Sequence, residues 1–256
     1  MMKPSTLWSF LGRRRAESLA VVIAGVIAVP FITARDKAPI GAYTVKIARA
    51  VVGPVAGSPV QQTSDWDLAN IDNASVDSWI DRFQSDLKQS MAIYLERMDR
   101  YDDMITTKLA EREMPQELIF LAMIESGFDP KAKSPVSASG LWQFMGATGR
   151  QYGLTVTKKV DDRNDPLKAT DAALAYLDDL HGRFGSWYLA FAAYNSGEGR
   201  VARVMKSTLG RSTGTDADFY RIASRLPKET RDYVPKMIAA ARIAKNPAKY
   251  GFETRS

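Results

Sequence analysis

The stretch Pro-Gln-Glu-Leu-Ile-Phe-Leu-Ala-Met-Ile-Glu-Ser, residues 115–126, decides the fold of this chain. Its apolar side chains cover every side of a helix, and a helix that is apolar all round is normally buried. Pro115 suits the first helical position, because its missing N–H would be unpaired there in any case. We expect Glu125, at the carboxyl end, to be partly desolvated, which raises the pKa of a carboxyl group. Glu125 is therefore a candidate general acid near neutral pH.

Glu125 has a second interpretation that this stretch alone leaves open. A carboxylate at the end of a helix can pair with a nearby base, and Lys131 and Lys133 follow shortly after it. Perturbed carboxylates also occur in ordinary ion-pair networks. The choice between a catalytic and a structural carboxylate depends on the rest of the chain.

The remainder of the chain body is also helical in pattern. From about residue 75, apolar residues recur at helical spacing, which predicts one long amphipathic helix or two in succession. Ser186 can cap a helix that stops near Gly197, and Pro227 can begin another with Glu229 in its first turn. Gly182 is expected to end the helix before it. Strand patterns are hard to find, so we predict a mainly α fold.

Composition excludes several classes of chemistry. The chain has 256 residues, 45% of them hydrophobic, which suffices for one or two domains with a real core. It has no cysteine and a single histidine, His181, which we interpret as structural. Thiol catalysis, thiolate metal sites and a multi-histidine zinc site are therefore excluded, and we expect no metal and no cofactor. About half of the net charge of +6 lies in residues 1–34, so we predict no nucleic-acid partner.

Residues 1–34 are predicted to be a targeting segment. Arg13–Arg15 form a basic region, and residues 19–32 form an apolar run. Cleavage after Ala34 would make this a signal peptide; an uncleaved signal anchor would give inner-membrane association through residues 19–32. Both interpretations place the body in the periplasm or cell envelope. Residues 35–73, rich in Pro, Gly, Ser and Ala, are expected to be a flexible linker.

Four segments carry the chemistry: Ile-Glu-Ser-Gly-Phe-Asp-Pro (124–130), Gly-Leu-Trp-Gln-Phe-Met (140–145), Ala-Tyr-Asn-Ser-Gly-Glu-Gly-Arg-Val (193–201) and Leu-Pro-Lys-Glu-Thr-Arg-Asp-Tyr-Val (226–234). In this order and spacing they are similar to the family 1 lytic transglycosylases with a lysozyme-like (goose-type) catalytic domain, closest to the membrane-bound lytic murein transglycosylase D branch. The resemblance covers about residues 75–245. It implies a helical region, 74–113, packing on a catalytic domain, 114–245, with a tail, 246–256.

The resemblance implies cleavage of the β-1,4 bond between N-acetylmuramic acid and N-acetylglucosamine in peptidoglycan glycan strands. The C6 hydroxyl of the muramic acid would attack C1 and leave a 1,6-anhydro sugar. Glu125 would first protonate the leaving oxygen and then, as a carboxylate, accept the proton of the C6 hydroxyl. Glycosidases usually employ two carboxyl groups. One suffices here, because the nucleophile is part of the substrate and gains from high effective molarity.

The resemblance also implies seven substrate-binding residues, most of which have a structural alternative. The alternative for Ser126 is a hydroxyl bonded to the backbone, and that for Met145 is a methionine that fills a gap. Tyr194 and Asn195 would otherwise belong to an aromatic core stripe that ends in a turn. Glu229 would be a first-turn Glu favoured by the helix dipole, and Tyr233 a core tyrosine. The hydroxyl of Tyr194 is expected to point toward Glu125. The seven residues are Ser126, Gln143, Met145, Tyr194, Asn195, Glu229 and Tyr233.

Two other functions are weighed beside this one. A lysozyme-type muramidase would need a water molecule positioned by a second group, for which Glu229 or Asp129 is a candidate. A non-catalytic glycan-binding protein of the envelope is the other alternative. The intact set of Glu125, Gln143, Tyr194 and Asn195 argues against it. Oligomeric state is not predicted.

Overall fold

The computed structural model describes residues 66–253, and these residues form ten α-helices with four short 3-10 helices and no β-strand. The mainly α prediction is confirmed for this part of the chain. The predicted targeting segment, most of the predicted linker and the end of the tail lie outside the described residues. The α-helices are α1 (Ala74–Gln84), α2 (Lys88–Met98), α3 (Asp102–Glu111), α4 (Ile119–Ser126), α5 (Gly146–Gln151), α6 (Pro166–Phe184), α7 (Trp187–Ser196), α8 (Glu198–Leu209), α9 (Asp216–Ile222) and α10 (Lys228–Lys245).

Helix α4 lies in the core, as its sequence predicts. Every residue from Ile119 to Ile124 is buried, and the helix packs against α3 and α10. A single 3-10 turn, Gln116–Leu118, precedes it, so Pro115 stands just before the first helical residue rather than at it. Gly127 ends α4 in the left-handed conformation, with a φ of 58°. A Cβ at this position would lie 2.1 Å from the ring of Tyr94, so both the backbone and the packing require glycine here.

The region before α4 contains three helices, where the spacing predicted one or two. The first break follows α1, where the Ser85 hydroxyl donates to the carbonyl of Asp81. A serine hydroxyl that bonds the preceding turn competes with continuation of the helix. After the breaks, α1 packs on α10 while α3 packs on α6. The turns therefore let one amphipathic segment cover two sides of the core.

Helix ends in the second half follow the capping residues closely, with one exception. The Ser186 hydroxyl accepts a hydrogen bond from the N–H of Leu189, and α7 ends before Gly197. Pro227 precedes α10 as predicted. The prediction for Gly182 is wrong, because α6 continues to Phe184 and ends at Gly185. Gly182 is exposed on this helix, where nothing requires the chain to turn.

The last eight residues of the segment predicted to be a linker, 66–73, contact the helical body. The Asp67 carboxylate accepts a hydrogen bond from the N–H of Gln116 at 3.0 Å. The Asp72 carboxylate pairs with the Arg242 guanidinium of α10 at 2.7 Å. None of the helices within residues 66–253 is both long and apolar enough to cross a membrane.

Trp142 connects the loop before α5 to α6. Its side chain is fully buried, and its indole N–H donates to the Thr170 hydroxyl at 3.0 Å. That hydroxyl in turn donates to the carbonyl of Pro166 at 2.7 Å. A buried donor is costly when it loses its acceptor. Thr170 therefore fixes the position of the loop that carries Trp142.

We expect Thr170→Val to lower the free energy of unfolding by about 1–3 kcal/mol, because it leaves the buried indole N–H without an acceptor. Chemical denaturation followed by far-UV circular dichroism measures the change. Thr107→Val is the matched control, since Thr107 is exposed on α3. Equal unfolding free energies for the two variants would contradict this role of Thr170.

Candidate active site

Glu125 stands at the end of α4, where α10 covers it. The hydroxyl of Tyr233, on α10, donates a hydrogen bond to Glu125 Oε1 at 2.6 Å. Tyr233 itself is buried, with 5% of its surface exposed. A short hydrogen bond from a buried donor fixes the orientation of the carboxyl group. The predicted general acid is therefore held in one geometry by a residue 108 positions later in the chain.

Burial raises the pKa of Glu125 from 4.5 to about 7. The Tyr233 hydrogen bond and the positive charge of Lys236 oppose this rise, because both favour the carboxylate. The negative charge of Glu229 adds to it. Glu125 is thus poised between acid and base near neutral pH. The charges that act on it come from α10, whereas Lys131 and Lys133 are exposed.

Lys236 also belongs to the site, although it is not among the residues that the sequence motifs predict. Its ammonium group donates to the carbonyl of Ile124, next to Glu125, at 3.0 Å. It is partly buried, and burial lowers its pKa. The signal was present in the sequence, because Glu229, Tyr233 and Lys236 are spaced by four and three and share one face of a helix. That face is the one that α10 turns toward Glu125.

Two hydroxyls of the predicted site residues bond to the loop that precedes α5. The Ser126 hydroxyl donates to the carbonyl of Leu141 at 2.8 Å, and the Tyr194 hydroxyl donates to the carbonyl of Trp142 at 2.8 Å. In this geometry the Ser126 hydroxyl is bonded to the backbone, as its structural alternative has it. Tyr194 still lies near Glu125, since the charge of that carboxylate helps to raise the pKa of Tyr194 well above its ordinary value. Both hydroxyls thus fasten the loop beside the acid.

Gln143 lies in the same loop and has an unusual backbone. Its φ of 48° is in the left-handed region, which few residues other than glycine adopt. Its amide nitrogen donates to the carbonyls of Ala132 and Gly140, at 3.2 and 2.9 Å. Met145 ends the loop with 39% of its surface exposed. The amide of Gln143 therefore stabilises the loop, and the Met145 side chain is open to a ligand.

The other candidate residues lie at the end of α7, in the first turn of α10 and in the turn after α4. Asn195 accepts a hydrogen bond from the buried Thr230 hydroxyl at 2.8 Å, which joins the end of α7 to α10. Glu229 is exposed in the first turn of α10, near enough for its charge to act on Glu125. Asp129 caps a turn, accepting from the N–H of Lys131 at 2.8 Å. Of the two candidates for a second acid, Glu229 is the one whose charge raises the pKa of Glu125.

These distances define what the arrangement can do. One carboxyl group with a pKa of about 7 can donate a proton and then accept one at the same oxygen. Tyr233 and Lys236 stabilise its ionised form between the two transfers. The chemistry that fits is acid catalysis followed by base catalysis by a single group.

This region is similar to known proteins. Residues 103–215 match the family model described as "Transglycosylase SLT domain". The chain is 44% identical over 156 residues to membrane-bound lytic murein transglycosylase D of Escherichia coli K12. That match covers 60% of this chain and 34% of the relative, so the chain spans about a third of the length of this relative.

Two further similarities concern soluble enzymes of the same bacterium. Soluble lytic murein transglycosylase of Escherichia coli K12 is 32% identical over 146 residues, covering 54% of this chain and 22% of the relative. The crystal structure of the 70 kDa soluble lytic transglycosylase of Escherichia coli has a TM-score of 0.48 and 27% identity, covering 59% of this chain and 25% of the other.

Helix α4, Glu125, the loop with Gln143 and the end of α7 all lie within the matched residues, whereas Tyr233 and Lys236 follow them. The geometry around Glu125 and the family match therefore concern the same part of the molecule. The residues that match the Transglycosylase SLT domain model, 103–215, therefore include the candidate acid.

Proposed function

We propose that this protein is a peptidoglycan lytic transglycosylase that cleaves the β-1,4 bond between N-acetylmuramic acid and N-acetylglucosamine and forms 1,6-anhydro-N-acetylmuramic acid. The observation that carries the proposal is Glu125. It is a carboxyl group with a pKa of about 7, at the end of the buried helix of a Transglycosylase SLT domain. The names of the relatives, both murein transglycosylases, support the substrate.

In the first step, protonated Glu125 donates its proton to the glycosidic oxygen. The bond from C1 to that oxygen breaks, and positive charge develops at C1. Because Glu125 is partly desolvated, it is still protonated in much of the population near neutral pH. When the proton leaves, the Tyr233 hydroxyl and the Lys236 ammonium group stabilise the new carboxylate.

In the second step, the C6 hydroxyl of the same muramic acid attacks C1, and the Glu125 carboxylate accepts its proton. The enzyme returns to its starting protonation state, and no water is consumed. An intramolecular nucleophile needs no ordered water and reacts with high effective molarity. We assign substrate contacts to the exposed Met145 and to Gln143, Asn195 and Glu229. Ser126 and Tyr194 act by holding the loop beside the acid.

We place this activity in the cell envelope, outside the cytoplasm. Peptidoglycan lies there, and a relative is named as membrane-bound. Anchoring through residues 19–32 or removal of residues 1–34 are both consistent with this location. Hydrolysis by a water molecule positioned by Glu229 or Asp129 is the alternative reaction, and of these two residues Glu229 is the one whose charge acts on Glu125.

Purified sacculi digested with the full chain should release muropeptides with anhydro-muramic ends, identified by mass spectrometry. Glu125→Gln should lower their release at least about 100-fold, since it removes the general acid. Glu111→Gln, at an exposed site on α3, is the control and should act like the wild type. Products that carry only reducing ends would overturn transglycosylation in favour of hydrolysis.

Two substitutions on α10 should move the alkaline limb of the pH–rate profile in opposite directions. Lys236→Met removes a charge that lowers the pKa of Glu125, so activity should persist to higher pH. Glu229→Gln removes a charge that raises it, so activity should fall at lower pH. Lys236→Arg keeps the charge and should keep the limb near its wild-type position. If the alkaline limbs of the Lys236→Met and Glu229→Gln profiles lie at the same pH, Glu125 is not the acid.

The raised pKa also predicts how stability depends on pH. Between about 4.5 and about 7, native Glu125 holds a proton that the unfolded chain has released, so stability falls as pH rises through this window. Above it, the free energy of unfolding of Glu125→Gln should exceed that of the wild type by about 3 kcal/mol. Below it, the two proteins should be nearly equal. Denaturant titrations across pH measure the difference, and a constant difference would refute the shift.

A further inference from the structure

A polar groove lies between α1 and α10, outside the residues that match the family model. It has a cavity volume of about 290 Å³. On α10, Lys228, Asp232 and Lys236 are spaced by four and form one stripe. Lys228 and Asp232 line the groove, and the stripe ends at Lys236 beside Glu125. The groove therefore lies one helical turn from Lys236, whose ammonium group bonds to the carbonyl next to Glu125. Its lining residues are Ala74, Ser75, Ser78, Trp79, Arg82, Lys228 and Asp232.

Arg82 gives this groove an available positive charge. Its guanidinium carbon lies 4.1 Å from the centroid of the Trp79 ring. Within residues 66–253 no carboxylate lies at ion-pair distance from it, whereas Lys228 is paired with Asp232. Stacking on an aromatic ring orients a guanidinium and leaves its N–H groups free to donate. Arg82 is thus a prepared donor for a carboxylate.

The Trp79 ring favours an anion over a sugar at this place. Sugars usually stack on open aromatic faces, but here Arg82 lies over the ring and the Lys236 ammonium group is 5.6 Å from its centroid. The exposed hydroxyls of Ser75 and Ser78 add hydrogen-bonding groups along the wall. Cationic and hydroxyl groups that line one groove suit an acidic peptide.

We propose that the α1–α10 groove binds the acidic peptide stem of the peptidoglycan strand, with Arg82 pairing to one of its carboxylates. The inference rests on the proposed function, since it takes peptidoglycan as the substrate. The stem is attached to the muramic acid whose bond is cleaved, and it carries free carboxylates. A stem held in the groove positions that sugar against Glu125, which converts remote binding energy into alignment at the reacting bond.

Binding is measured with full-length Glu125→Gln protein, which leaves the strands intact. The ligands are purified glycan strands with their stems present and the same strands after the stems are removed by an amidase. Arg82→Gln in this background should weaken binding to stem-bearing strands about tenfold, the loss of one charge-assisted hydrogen-bonded pair. It should leave binding to stem-free strands unchanged. Arg82→Lys should recover part of the loss.

Arg203→Gln is the matched control, because Arg203 is exposed on α8, which packs on α7 and α9. Equal weakening for both kinds of strand would assign Arg82 to a sugar contact and overturn the proposal, as would no weakening at all. Different results would contradict the proposed function and the stem-binding groove. A wild-type protein that releases no anhydro products sinks the proposed function, whereas release with no effect of Arg82 on stem-bearing strands sinks only the groove.

Discussion

The packing of α10 against the end of α4 is the contact on which the site depends. It buries Tyr233, whose hydroxyl holds Glu125 at 2.6 Å, and it brings Lys236 to the carbonyl next to that acid. The same contact removes water from Glu125 and raises its pKa to about 7. Burial and the two stabilising groups act together here, because a carboxyl group that is only desolvated would hold its proton too tightly to donate it to the leaving oxygen.

The loop of residues 140–145 is the second element that this arrangement requires. Hydroxyls from α4 and α7 bond its carbonyls, and the Trp142 indole fixes it to α6. Three helices thus hold one irregular segment against the acid. Gln143 adopts a left-handed backbone within it and stabilises it with its own amide. Side chains that face a ligand are positioned best when their supporting contacts are rigid.

Much of the fold was predictable because its signals are local. The apolar run of α4 required burial, Ser186 and Pro227 marked two helix starts, and Gly197 marked an end. The errors are local too. Gly182 was expected to end α6, which continues to Gly185, since an exposed glycine in a helix is tolerated when no other residue forces a turn. The apolar spacing also did not predict that the first helical region is divided into α1, α2 and α3.

The sequence by itself determined the helical class, the burial of α4 and Glu125 as the candidate acid, because periodicity, capping and composition act over a few residues. The roles of the other predicted site residues stay predictions. Only the tertiary structure decided which groups face Glu125. The spacing of Tyr233 and Lys236 shows that they share a helix face, but they are more than a hundred positions away, and the spacing does not say that this face meets Glu125. The raised pKa is likewise a property of the packed site, since desolvation exists only once α10 has closed over α4.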